Sequence, residues 1–482
     1  MRFFNTAGPM VAARHYTVPP LSRIDLDDVL LLIEQQKYFV LHAPRQTGKT
    51  TVLLALMEQL NREGRYTCLY ANIEAAQTYR SNVDAAMRTI VTQIAAAANW
   101  YLQDERLQAW ALSALTERGG SALNALLERW ARANDKSIVL LLDEVDALVG
   151  DTLISLLRQI RAGYAQRPGA FPQTIVLCGV RDIRDYRMHS AGQEIITGGS
   201  AFNIKAESLR LGNFTASEMT RLYEQHTEET GQIFADGVLA QVWDLTQGQP
   251  WLVNALAYEA CFQIKAGRDR HRPITTEQIA VAKENLILRR ETHLDQLADK
   301  LREERVRRVI EPLLIGQDSA LDLPLDDIDY VRDLGLVALD KPLRIANPIY
   351  REVIPRQLTA STEEMTVQES AWYVQPDHRL DMNKLLAAFQ QFFREHAEPW
   401  IERFQYKEAG PQLLLQAFLQ RIVNGGGRID REYGLGRRRT DLLLHWPLDQ
   451  TQGYLGPLQR VVIEFRTFAF RHSRVGGNPV TH

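Results

Sequence analysis

Five short apolar runs, separated by stretches of helical spacing, constrain the first half of this chain of 482 residues more than any other feature. They are "KYFVLHA" (37–43), "RYTCLYANIE", "SIVLLLDE", "QTIVLCGV" and "FNIKAESLRL", in that order. Helical patterns such as 25–35 and "TTVLLALMEQL" lie between most of them. A strand that is apolar along its whole length, rather than at alternate positions, is buried on both faces. Such strands in series with helices predict a parallel sheet covered on both sides. The expected fold class is α/β, and sheets of this kind take ligands at the carboxyl ends of their strands.

Two of those ends carry candidate chemistry. The first strand runs into "APRQTGKTT", Ala43 to Thr51, and then into a helix. A loop that holds phosphate needs inward N–H groups, a helix N-terminus, a lysine, and a hydroxyl for Mg²⁺. Gly48, Lys49 and Thr50 supply the last three, Pro44, Arg45, Gln46 and Thr47 form the loop, and Thr51 follows in the helix. Ala43 stands where the pattern G-x-x-x-x-G-K-[ST] has its first glycine, which is tolerable if the backbone there keeps negative φ. The third strand ends in Asp143 and Glu144. Asp143 suits Mg²⁺, directly or through water, and Glu144 is placed to orient and deprotonate an attacking water. An ordinary helix cap is the alternative for an isolated acidic pair.

With these residues in view, the chain resembles the ASCE class of P-loop ATPases, in its AAA-like and STAND-like branch, among bacterial ATP-binding proteins. The resemblance implies ATP and Mg²⁺ as cofactors and a strand order of 5-1-4-3-2. It places the Walker A lysine and threonine at Lys49 and Thr50 and the Walker B pair at Asp143 and Glu144. The fourth strand ends in "CGVRD", so Arg181 is the candidate sensor, with capping of the sheet edge as the alternative. "TQGQPWLVNALA" resembles the G-x-P signature of STAND lids, with Gly248 and Pro250. Proline suits the first turn of a helix and glycine a sharp entry into it.

The expected organisation is an ATPase domain over 1–211, a helical lid over 212–290, and a winged-helix-like domain over 291–357. A polar linker over 358–370, a further domain over 371–470 and a disordered tail over 471–482 follow. Arg302, Arg305, Arg307 and Arg308 could meet DNA, but Glu303, Glu304 and Asp333 intersperse them as on a solvated helix face. A wing facing an unknown protein partner is the preferred expectation. The order helix, hairpin, strand in 371–470 resembles PD-(D/E)XK nuclease-like domains, with Asp441 and Glu464 as the metal-binding acids. Arg466 occupies the lysine position and cannot act as a base. The tail "RHSRVGGNPVTH" looks like a translated intergenic repeat in place of the elements that would cover Glu464, so a vestigial domain without nuclease activity is expected.

Composition agrees with this reading without sharpening it. A net charge of −3 does not advertise a polyanion partner, though nucleic acid stays open. Three widely spaced cysteines, Cys68, Cys178 and Cys261, form no disulfide or zinc pattern and suit a reducing cytoplasm. No run reaches the ~18 apolar residues of a spanning helix. Two functions are expected from different classes: an ATP-hydrolysing switch or motor, and a non-catalytic, ATP-gated signalling, scaffold or transcription-regulatory protein.

Overall fold

The computed structural model describes residues 1–80, 82–114, 119–181, 187–189, 195–197, 204–289, 293–294, 300–315, 323–354, 373–375, 377–391, 415, 419, 428–435, 438–449 and 456–463. The chain divides into two units, Met1–Val309 with Ala320–Tyr350, and Ile310–Ser319 with Arg351–His482.

The first unit is built on five strands: β1 (Tyr38–His42), β2 (Tyr66–Asn72), β3 (Ser137–Asp143), β4 (Thr174–Gly179) and β5 (Lys205–Arg210). They pair in the order β2-β3-β4-β1-β5, every pair parallel, which read from the other edge is 5-1-4-3-2. This is the P-loop NTPase α/β fold. The helices of this part are α1 (Leu26–Glu34), α2 (Lys49–Glu63), α3 (Val83–Leu102), α4 (Arg106–Ala114), α5 (Gly119–Arg132) and α6 (Asp151–Ala162).

The unbroken apolar strands are explained by two separate cores. Tyr38 and Val40 of β1, with Leu140 and Leu142 of β3, pack against α3, α5 and α6. Their neighbours Phe39 and Leu41, with Val139 and Leu141, pack against α1 and α2. Successive side chains of a strand point to opposite faces, so only a run apolar at every position fills both layers. Each fully buried Leu, Ile or Val contributes about 1.5–3 kcal/mol relative to exposure.

The stretch where a lid was expected, 212–290, holds the helices α7 (Ala216–Thr230), α8 (Val238–Thr246), α9 (Pro250–Tyr258) and α10 (Thr276–Leu288). A capping box starts α7, with Thr215 and Glu218 each satisfying the other's backbone N–H. Pro250 opens α9, capped by the Gln249 side chain, which accepts from Leu252 N. Just before it, Gly248 has φ +71°, and a Cβ there would lie 2.1 Å from Phe214 O. The two backbones meet because Phe214 N donates to Gly248 O at 2.8 Å. Gly248→Ala is therefore expected to cost more than ~1 kcal/mol of stability, since the new side chain meets both an unfavourable φ and backbone. Chemical denaturation checks this, and an unchanged midpoint would remove the close approach.

Beyond the lid, α11 (Glu304–Ile315) and α12 (Leu325–Asp333) are followed by an antiparallel bridge between Val337 and Ile345. The second unit holds helix 382–391 and an antiparallel sheet ordered β8-β7-β6, with β6 (Arg428–Leu435), β7 (Arg438–Pro447) and β8 (Leu458–Ile463). Leu385, Leu415, Leu419, Ile429, Leu442 and Leu444 make its core. The expected linker over 358–370 and tail over 471–482 lie outside the described residues.

Candidate functional site

The loop from β1 to α2 shows why an alanine can open it. Ala43 N donates to Gly179 O at 3.2 Å, so strand pairing continues one residue past β1. The left-handed positions fall later, at Gln46 (φ 56°) and Gly48 (φ 94°). Gly48 caps α2 and has no side chain to satisfy the first N–H groups of that helix. Those donors and the positive end of the helix dipole together suit an anion.

Lys49 is buried, and its Nζ donates to Ala43 O at 2.9 Å and Pro44 O at 3.1 Å. Among the described residues no carboxylate pairs with it. A buried ammonium held only by carbonyl oxygens is a cation prepared for an incoming anion.

The carboxylate side of the site is drawn together from two strands and one helix. Asp143 is fully buried at the end of β3. Thr50 Oγ1 donates to its Oδ2 at 2.7 Å, and the Tyr70 hydroxyl donates to the same oxygen at 3.0 Å. Glu144 N donates to the other oxygen, Oδ1, at 2.9 Å. Among the described residues no group of three or more His, Cys, Asp or Glu could hold a metal. The hydroxyl of Thr50 beside one carboxylate is instead a hard-oxygen pair of the kind that would hold Mg²⁺ together with phosphate and water. The residues present thus fit the ion.

Glu144 adopts a left-handed backbone, φ 59°, which is uncommon for a residue with a Cβ. Burial, with the charge of Asp146 next, pushes its carboxyl up to about 7, while Lys49 opposes the shift. In the unfolded chain it titrates nearer 4.5, so its ionised form is disfavoured in the fold. That cost is absent below the unfolded value, grows as pH rises from there, and is complete above about 7. Glu144→Gln is therefore expected to raise the melting temperature at pH 8 and change it little near pH 4. Equal shifts at the two pH values would remove the titration from Glu144.

A cavity of about 420 Å³ opens over this loop and is lined by Arg45 to Val52, Tyr70 and Glu144. Residues 5–10 of the N-terminal segment, Arg23 at the end of the short 3-10 helix Pro20–Arg23, and Pro250, Trp251 and Asn254 of α9 close its other sides. Trp251 Nε1 donates to Thr6 O at 2.9 Å, and Met10 N donates to Thr51 Oγ1 at 3.1 Å, so the N-terminal segment bridges α9 and the start of α2. Arg23 donates to Thr47 O and Gly212 O and stacks on Phe214 at 4.7 Å. Of these contributors the sequence singled out Pro250 and the loop threonines, and neither residues 5–10 nor Arg23, Trp251 and Asn254. The segment "NTAGPM" has no period, and only the flanking Phe4 and Tyr16, buried against Tyr223 and His226 of α7, signal an anchored strap.

Of the residues expected at the site, Lys49, Thr50, Asp143 and Glu144 are brought together. Arg181 is not among those that line the cavity; its guanidinium lies over the Tyr330 ring at 4.9 Å. Gly248 acts through backbone packing, whereas Pro250 reaches the cavity wall. In the second unit, Asp441 lies on β7 one residue before Leu442, which pairs with Ile463. The Asp441 side chain, Glu464 and Arg466 lie outside the described residues.

Residues 33–186 match the family model described as an AAA domain. This part of the chain is similar to AAA domains, in keeping with its P-loop NTPase fold. No curated protein matches the chain. Solved structures similar to it include the Walker-type ATPase PABY2304 of Pyrococcus abyssi, 14% identical, covering 73% of this chain and 99% of that one with a TM-score of 0.47. The Cdc6p protein of Pyrobaculum aerophilum is 15% identical, with 72% and 95% covered and a TM-score of 0.39. The Orc1 protein of Aeropyrum pernix, solved in complex with DNA, is 14% identical, with 74% and 94% covered and a TM-score of 0.38. Among the described residues no helix is long and apolar enough to cross a membrane.

Proposed function

We propose that the chain is a Mg²⁺-dependent ATP-binding and ATP-hydrolysing switch. The observation that carries this reading is the buried, carboxylate-free Lys49 beside the Thr50–Asp143 pair on one cavity wall. The cavity volume falls in the range that holds a nucleotide-sized ligand. The N–H groups of the loop and Lys49 hold phosphate oxygens, and Thr50 and Asp143 hold the cation. Mg²⁺ supplies charge neutralisation across the phosphates. Glu144 takes the proton of the attacking water, a task suited to a carboxylate whose pKa lies near neutrality.

The switch is supported by contacts that join the phosphate loop to residues far along the chain. Asp333, at the end of α12, pairs with Arg210 of β5 at 3.1 Å and lies 3.6 Å from His42, next to the loop. A Cβ on Gly335 would lie 2.7 Å from Pro44. A loop that rearranges around phosphate therefore pushes directly on the α12 region, as two-state elements do when a γ-phosphate is gained or lost. The second unit is proposed as a vestigial nuclease-like domain, with Asp441 and Glu464 as remnants of its metal site.

Thermal denaturation with ATP, with and without Mg²⁺, tests binding. At about a hundred times its Kd, bound nucleotide should add roughly 2.7 kcal/mol of stability. No shift with any nucleotide, in Mg²⁺ or in EDTA, would defeat the reading. Turnover measured with and without DNA then separates a nucleic-acid motor from a protein that binds ATP without consuming it.

A further inference from the structure

We propose that Tyr70 is a positioning residue for the cation at this site: its hydroxyl holds Asp143 in the orientation that receives Mg²⁺. The inference rests on the Mg·ATP reading above and deepens it. The Tyr70 hydroxyl and Thr50 Oγ1 donate to the same oxygen of Asp143, at 3.0 and 2.7 Å. The third donor, Glu144 N, serves the other oxygen.

These three bonds do not do equal work once a cation arrives. Thr50 must then offer a lone pair to the metal, so its hydroxyl is shared between two tasks. Glu144 is adjacent to Asp143 in the chain, sits on a left-handed backbone and carries the proposed catalytic carboxylate. Of these three donors, Tyr70 is the one from a different strand, with a rigid ring and no other task in the chemistry. The terminal torsion of an aspartate is broad and roughly two-fold, so a fixed donor on one oxygen selects which oxygen faces the metal.

The surroundings keep that donor fixed. Tyr70 is buried in the layer of α1 and α2, and Tyr101 packs edge-on against it with centroids 6.1 Å apart. Its backbone is held from below, where Tyr70 N donates to Met57 Sδ at 3.3 Å. Burial, with the charge of Asp143 next, pushes the phenol far above its ordinary value, so it stays a neutral donor throughout the working range. Tyr70 also lines the cavity, so its hydroxyl lies at the wall where the cation would sit.

Tyr70→Phe removes the hydroxyl and keeps the ring. The measurement is the affinity of a fluorescent ATP analogue in EDTA, then its tightening as Mg²⁺ is titrated. For Tyr70→Phe the affinity in EDTA should match wild type, while the Mg²⁺ midpoint should rise about tenfold, as when a partner of a metal ligand is removed. Mn²⁺ in place of Mg²⁺ should show an altered paramagnetic resonance spectrum of the bound ion. Tyr38→Phe is the control, because Tyr38 is also buried and donates to Pro172 O at 2.9 Å, away from the cation. It should lose stability and keep the wild-type Mg²⁺ midpoint. An unchanged Mg²⁺ midpoint in Tyr70→Phe overturns the inference while leaving nucleotide binding intact. A parallel loss of EDTA affinity, Mg²⁺ affinity and stability overturns it in favour of a structural role. Absence of any nucleotide binding by wild type removes the Mg·ATP reading itself, and the inference with it.

Discussion

Lys49→Ala should abolish the stabilisation that ATP gives the wild-type protein. The lysine is the one cation of the loop that is buried and held only by backbone carbonyls, of Ala43 and Pro44. The other cation of the loop, Arg45, is exposed, so water weakens its attraction for a β- or γ-phosphate, and the remaining donors are neutral N–H groups. Removing one partner of a buried charged contact costs about 2–5 kcal/mol, which weakens Kd by between about 30-fold and 5,000-fold. The variant without nucleotide should melt close to wild type, since the lysine makes no ion pair among the described residues. Calorimetric titration with Mg·ATP checks the loss. Wild-type affinity in Lys49→Ala would show that phosphate binds elsewhere, and the cavity would need a different ligand.

Glu144→Gln should separate binding from chemistry. The amide keeps the shape of the side chain and cannot accept the proton of water, so turnover should fall about 10²- to 10⁴-fold while ATP still binds. The raised carboxyl adds a second signature. A base works only when deprotonated, so kcat/KM of wild type should climb as pH rises towards about 7 and level off above it. In Glu144→Gln the residual rate should lose that inflection. Full turnover in the variant, with the inflection preserved, would assign the base to another group.

The legibility of the site follows from distance along the chain. Phosphate loop and helix are contiguous, so Gly48, Lys49 and Thr50 announced themselves in one stretch of sequence. Asp143 and Glu144 could be read because a strand that is apolar on both faces tolerates charge only where it ends. The departure at Ala43 was also decidable in kind. Its tolerance depended on φ, and the structure places the left-handed turns at Gln46 and Gly48 instead. Arg181 shows the limit of such reasoning, because position after a strand gave its sheet edge and not its partner, the Tyr330 ring.

The sequence by itself determined the α/β class, because burial on both faces demands apolar residues at every position of a strand; the strand order came only through the resemblance. It also offered the candidate phosphate and cation groups, whose chemistry is local. Only the tertiary structure decided what surrounds them. Tyr70 meets Asp143 across 73 positions and Thr50 meets it across 93. Residues 5–10 reach the cavity because Phe4 and Tyr16 are anchored on α7, more than two hundred positions away. No period or spacing records such meetings: helical and strand patterns encode which face of an element is buried, and the partner on that face is chosen by how the whole chain packs.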